Sequence, residues 1–383
     1  MNRIGNWRLI LSLVLVFSLF LMPACRHEEV VPKPEPKPEP QPEPARATTV
    51  HVVGWGRTEK GYGFPLYWRD GQSADLSVCH YPTPAIGGAF AYSVFVSNSD
   101  VYAAGTGSCD YRSVATYWKN GVRTDLKSRT LHYHAKSIYV SGSDVYLAGW
   151  IGTSNKSIPC YWKNGVRVEL SRPASSTSAE AYAIFVAGTD VFVAGTSNLE
   201  VDMNQAVSLP CYWKNGVRTD LSVIDPGHNG YGNAIHASEG NVYVAGYCVD
   251  QTGSGVPCYW LNGVRTELSR VNVYTGWAES IQVSGGDVYV AGASESGVCE
   301  IIPCYWKNGQ RTDLSVAKPG RGGYVNSIFV LGQDVFAAGY CGNDPNVAED
   351  PAIPCYWKNG VRTDLTTASY PEAFATAISA TYK

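Results

Sequence analysis

The sequence predicts an all-β chain, a seven-bladed β-propeller of four-stranded antiparallel blades whose ring is closed by the C-terminal strand completing the first blade. Three observations predict it. A Tyr-Trp pair recurs with Trp68, Trp118, Trp162, Trp213, Trp260, Trp306 and Trp357, spaced 44 to 51 residues apart, the period of a repeat architecture. Each pair runs into Asp-Gly or Asn-Gly, the strongest short hairpin signal. The first repeat also lacks its first strand, while the chain ends on one strand too many.

The hairpin comes first. Asp70-Gly71 in the first unit, and Asn-Gly in the others from Asn120-Gly121 to Asn359-Gly360, fit a type I′ turn. That turn needs positive φ at both central residues, which Asn, Asp and Gly tolerate. The Tyr-Trp segment before it and a segment such as residues 122–126 after it are the third and fourth strands, C and D. Two further strands precede them in each unit. Residues 135–140 and 144–149 stand for strands A and B, joined by Ser141-Gly142-Ser143. All four alternate or run apolar for about six residues, as strands covered on both faces do. The first unit begins at strand B, residues 49–54, and the chain ends with an unaccompanied strand A, residues 375–380. Pairing the two gives every blade its full set of strands and removes two sheet edges. Residues 48–383 are therefore one domain. The 39 glycines, 25 tyrosines and 45% hydrophobic content suit a turn-rich β fold with a large core.

The grammar Trp-x-x-Gly-x-x-x-x-Leu, then Ala-x-x-Ile, then Val-x-x-Ala-Gly, resembles the HAF-type extracellular repeats. It is also similar to the Tyr-Trp-Lys-Asn-Gly propellers of Bacteroidetes-type exported lipoproteins. The resemblance covers every unit and implies the propeller fold. It implies no activity, because no catalytic motif belongs to the repeat. WD40, kelch and sialidase Asp-box signatures are absent.

Ahead of the repeats, Arg3 and Arg8 precede an apolar run over residues 9–22, too short for a membrane span. It ends in Met22-Pro23-Ala24-Cys25, which resembles the lipobox of bacterial lipoproteins. Residues 1–24 are then a lipoprotein signal peptide, and Cys25 is the lipidated residue that ties the protein to a membrane. Residues 25–47 alternate proline with Lys, Glu or Gln and form a semi-rigid stalk. Glu28 and Glu29 resemble the acidic stretch that sends some such lipoproteins to the cell surface. An outer-membrane lipoprotein is expected, facing either the surface or the periplasm. The net charge of −3, with no basic run, argues against nucleic acid as a partner. A monomer is expected.

Antiparallel order puts the short A–B and C–D turns on one face and the B–C and D–A connections on the other. The latter are long and differ in every unit, as at residues 106–114, 196–209 and 340–353. Variable loops on a rigid scaffold are where binding usually resides. Just before each strand A stand Phe90, His134, Glu180, Tyr231, Trp277, Tyr324 and Phe374, and two positions further come Tyr92, Lys136, Tyr182, Asn233, Glu279, Asn326 and Thr376. With strand A innermost, these residues ring the pore mouth. The second set changes polarity and charge from blade to blade, whereas its neighbours repeat. Two readings stand side by side: the first ring plugs the spaces between blades, or the two rings bind a ligand.

The remaining candidates are few. Cys160, Cys211, Cys258, Cys304 and Cys355 share one scaffold position and read as inter-blade packing. Export would also allow disulfides, Cys248 with Cys258 and Cys341 with Cys355 at matched ends of B–C hairpins, and Cys299 with Cys304 across a shorter loop. The Trp/Arg and acid positions of each C–D hairpin, as Trp118, Arg123 and Asp125, suit a packed outer edge. His132 and His134 lack a third metal ligand, and residues 344–350 offer oxygens without EF-hand spacing. No metal or cofactor is expected, and no nucleophile elbow, P-loop or dinucleotide fingerprint is present. The expected function is non-catalytic binding of a glycan, a peptide or a cell-surface partner. The alternative is a glycoside hydrolase or polysaccharide lyase using Glu180, Asp225, His228, Glu279 and Arg321.

Overall fold

A computed structural model describes residues 46–78, 88–109, 112–126, 131–153, 156–202, 205–270, 274–297, 300–318, 320–342, 351–367 and 370–383. The leader, Cys25, the stalk, Cys299 and the 344–350 stretch lie outside these residues. The described chain folds into seven four-stranded antiparallel sheets. Among the described residues no helix is long and apolar enough to cross a membrane.

Each C–D hairpin turns as its residues dictate. Asn120 and Gly121 have φ of 51° and 81°, and the Asp-Gly of the first blade has 49° and 86°. The turn asparagine does more than tolerate this conformation. Its Oδ1 accepts from the second amide of strand B, as from Val101 N at 2.9 Å, and its Nδ2 donates to the aspartate that opens that strand, Asp100, at 2.8 Å. The preceding Lys119 pairs with the same aspartate at 2.7 Å and lies over the Tyr102 ring. The arrangement returns at Lys163, Lys214, Lys307 and Lys358. Lys-Asn-Gly is therefore a clasp holding the outer hairpin to strand B.

Inside the blades, the seven repeat tryptophans are at most 1% exposed. This corrects the expectation of an outer edge: the indoles are the largest core side chains. Trp118 Nε1 donates to the Ser77 carbonyl of the preceding blade at 2.8 Å, and Trp68 does the same to Thr366 of the last blade at 2.7 Å. A buried indole N–H needs an acceptor, and the chain just past the neighbour's strand D supplies it. The expected hairpin register does hold, with Trp118 opposite Arg123 and Thr116 opposite Asp125. Arg123 pairs with Asp125.

The ring closes as predicted. Glu372–Tyr382 pairs antiparallel with Thr48–Arg57, Val50 facing Ala380, and Lys383 N donates to Ala47 O at 2.9 Å. Strands A, which are Phe90–Ser97, His132–Ser141, Ser176–Ala187, Gly230–Ser238, Gly276–Ser284, Gly323–Leu331 and Glu372–Tyr382, each pack against the next around the axis. Serines in them tie blade to blade, as Ser93 Oγ accepting from Ile138 N at 3.2 Å. Two of the B–C loops named above are instead strand. Asp100–Cys109 and Arg112–Lys119 leave residues 110–111 as the connection, and Asp190–Asp202 and Gln205–Lys214 leave 203–204. The ladder continues past the blade because both arms keep finding partners, Asn198 opposite Ser208 among them.

Candidate functional site

The variable ring is a ring of β-bulges. In every blade the pairing of strands A and B slips by one residue: between Ala91 and Ser93, Ala135 and Ser137, Ala181 and Ala183, Gly232 and Ala234, Ala278 and Ser280, Val325 and Ser327, and opposite Val53 and Gly54. The residue skipped is Tyr92, Lys136, Tyr182, Asn233, Glu279, Asn326 or Thr376. A bulge re-aims its side chain, which explains why this position escapes the repeat. All of these side chains are half-buried, and each follows a buried residue such as Ala91 or Ala135.

One glycine in each strand B, in an Ala-Gly pair everywhere except Val53-Gly54 of the first blade, makes the bulge possible. It faces the residue before the bulge, as Gly105 faces Ala91. A Cβ on Gly54, Gly105, Gly149, Gly195, Gly246, Gly292 or Gly339 would overlap the carbonyl oxygen of Phe374, Phe90, His134, Glu180, Tyr231, Trp277 or Tyr324. The first predicted ring therefore leans its backbone on glycine in every blade.

The bulge residues divide into two sets. Asn233 donates to Ala278 O at 3.1 Å, Asn326 to Ala375 O at 2.8 Å and Thr376 to Ala91 O at 2.8 Å, each reaching the next blade's carbonyl just before its bulge. Those three are staples. Tyr92, Lys136, Tyr182 and Glu279 make no such bond among the described residues. Lys136 Nζ sits 3.8 Å from the centre of the Tyr92 ring and 5.5 Å from that of Trp150. Tyr182 donates to Glu180 Oε2 at 3.0 Å, and Ser157 Oγ donates to Oε1 at 3.2 Å. Glu279 accepts from Tyr324 Oη at 2.7 Å and from Asn233 Nδ2 at 3.0 Å. Burial lifts its carboxyl to about 7 against the pull of those two donors. Burial, aided by Lys136 and His132, drops the His134 imidazole to about 4, so it is neutral near pH 7.

Opposite the first ring, strand B contributes partners that the sequence reading missed: Trp55 facing Phe374, Trp150 facing His134, Tyr247 facing Tyr231 and Tyr340 facing Tyr324. Their signal was available, since each directly follows the strand B glycine and varies by blade. The rings form an arc. Trp277 meets Tyr324 at 6.0 Å, Tyr324 meets Tyr340 at 6.1 Å, Tyr340 meets Phe374 at 4.9 Å, Phe374 stacks on Trp55 at 4.4 Å and Trp55 meets Phe90 at 5.1 Å. Phe90 continues to Tyr92 at 6.1 Å, and Lys136 bridges from there to Trp150, which stacks on His134 at 5.0 Å. Phe374, 8% exposed, is a plug; the other first-ring residues are half-buried.

His132 Nδ1 accepts from Ser113 N, and no metal-competent cluster exists among the described residues. Asp225 accepts from Gln251 at 3.3 Å. The scaffold cysteines 160, 211, 258, 304 and 355 are buried thiols. Cys341 and Cys355 lie 3.7 Å apart at sulfur, and Cys248, whose thiol donates to Ser222 O at 3.9 Å, interacts with Cys258. A cavity of about 340 Å³ opens between the first two blades at the opposite, short-turn face, beside Tyr67, Asp75 and Asn120. Ala74, where other blades carry Thr or Val, is part of its lining, which is scaffold.

The arrangement defines a β-propeller with an aromatic, partly charged channel mouth. No family model matches the chain, and no curated protein matches its sequence. Solved β-propellers are similar in fold. A polysaccharide lyase of the ulvan lyase kind, bound to a repeat of glucuronic acid and sulfated rhamnose, matches with a TM-score of 0.51 at 10% identity, over 75% of this chain and 86% of that one. The β-propeller domain of the Trilobed protease from Pyrococcus furiosus, described with an open velcro topology, matches with a TM-score of 0.48 at 10% identity, over 85% and 95%. At such identity the likeness is one of fold alone.

Proposed function

We propose that the protein is a non-catalytic extracytoplasmic binding protein, held to a membrane through a lipid on Cys25, whose ligand is a saccharide seated in the aromatic mouth. The observation that carries this reading is the arc from Trp277 to Phe90, continued across Lys136 to Trp150. Ring faces take the apolar faces of sugars, and a few polar groups, here Glu180, Tyr182 and Glu279, fix orientation. The test is a glycan array probed with the detergent-solubilised full chain, followed by Trp277→Ala and Tyr340→Ala. Loss of binding at an unchanged melting temperature supports the site. Binding that persists in both folded variants rejects it.

One observation favours a lyase or hydrolase instead. Glu279 keeps a carboxyl poised near neutral pH beside a tyrosine hydroxyl, as an acid catalyst requires. New reducing ends or unsaturated uronates released from polysaccharides, and lost in Glu279→Gln, would establish that reading.

A further inference from the structure

We propose that Lys136 selects an anionic saccharide, one that carries a carboxylate or a sulfate to the wall of blades 2 to 4. The inference rests on the saccharide reading above and narrows it. Seven side chains occupy the same bulge position, so the fold supplies its own control. Where that residue is Asn233, Asn326 or Thr376, it reaches a carbonyl of the next blade. Lys136 could do the same, and does not. Its ammonium has no hydrogen-bond acceptor and no ion-pair partner among the described residues, and rests on the faces of Tyr92 and Trp150.

A half-buried ammonium whose contacts are ring faces, with Glu180 acting on it from beyond ion-pair range, still has three N–H donors to offer. The nearby carboxylate, Glu180, is not within ion-pair distance, and its oxygens already accept from Tyr182 and Ser157. The neutral His134 ring, stacked on Trp150, adds an apolar wall beside the ammonium. What the place lacks is an anion arriving from the channel. A charged oxygen there would gain a charge-assisted hydrogen bond while the sugar ring lies against Tyr92 or Trp150. Carboxylate and sulfate offer the same chemistry, and the probes separate them.

The experiment uses the full chain in detergent and three probes: an oligogalacturonate, its fully methyl-esterified form, and a sulfated oligosaccharide. Methyl esterification removes charge and leaves the sugar. Wild type is expected to bind one of the acidic probes at least about tenfold tighter than the ester. Lys136→Met should erase that preference by bringing acid binding down to the level of the ester, and Lys136→Arg should restore most of it. If Lys136→Met unfolds the protein, Lys136→Arg against Lys136→Gln provides the same comparison. Equal binding of acid and ester by wild type, or an acid preference that survives in Lys136→Met, overturns the inference and leaves saccharide binding intact. If neither these probes nor any array glycan binds, the saccharide reading has failed, and this inference with it.

Discussion

The Tyr324 hydroxyl donates to Glu279 across the boundary between two blades, at 2.7 Å, in the wall of the channel mouth. The carboxyl it meets titrates at about 7 when folded, against 4.5 for a free glutamate, because burial outweighs the donors. A raised carboxyl pKa means that the unfolded chain loses its proton first. Between about pH 4.5 and pH 7 the folded state binds more protons, so this group's contribution to stability falls as pH rises. His134 and His236, both lowered to about 4, push the other way over pH 4 to 6.5. The informative quantity is therefore the variant-minus-wild-type difference. Glu279→Gln should gain on wild type by about 1–3 kcal/mol between pH 5 and pH 8, measured by urea denaturation. A difference that does not move with pH would refute the protonated carboxyl.

Deleting residues 372–383 should lower the melting temperature sharply, because strand A of the first blade and its ladder to Thr48–Arg57 vanish together. Ala373, Ala375 and Ile378 leave the core with it. An unchanged melting curve would mean that the first blade stands without its closing strand.

Gly246→Ala tests the bulge. Its Cβ would overlap the Tyr231 carbonyl, so the backbone must move, at a cost of about 1–3 kcal/mol. Circular dichroism melts measure this. Because the bulge aims Asn233 at the next blade, the variant should also lose cooperativity between blades 5 and 6.

The cysteines sort by neighbour. Cys341 and Cys355 are close enough that oxidation needs only small side-chain movement, and Cys248 with Cys258 occupies the same two positions of its blade. Non-reducing peptide maps of the protein purified under oxidising conditions should recover both linked pairs. Cys211 and Cys304 have no cysteine partner among the described residues, and burial pushes both thiols up to about 12. They should resist alkylation in the native protein. Free thiols at all four paired positions would restore packing as their whole role.

The propeller was legible because it is written many times over. Turn chemistry, strand period and the displaced strand A each point to the same ring, so an error in one unit is corrected by the rest. The mouth was legible as a place, since residues such as Lys136 and Glu279 depart from a pattern their neighbours keep. Its geometry was not. A bulge is a property of two strands in register, and one strand alone does not show that Tyr92 or Glu279 is the residue without a partner. The Trp150 and Tyr340 contribution could have been read from their place directly after the strand B glycine, although not which residue each would face. The burial of Trp118 also escaped, because pairing it with Arg123 says nothing of the neighbouring blade that covers it.

The first blade carries one more consequence. Thr48–Arg57 lies between two antiparallel neighbours, matched residue for residue at ten positions with the closing strand and at seven with the strand that follows. Any pull on the chain ahead of Thr48 drags this strand along its own axis. The ladder bonds on both sides are then loaded at once in shear, rather than peeled one after another. Lys383, bonded to Ala47 beside the point of traction, adds a last rung. A propeller built this way should resist extraction by its N-terminus far better than by its C-terminus, where a single strand, held along one edge, is first to go.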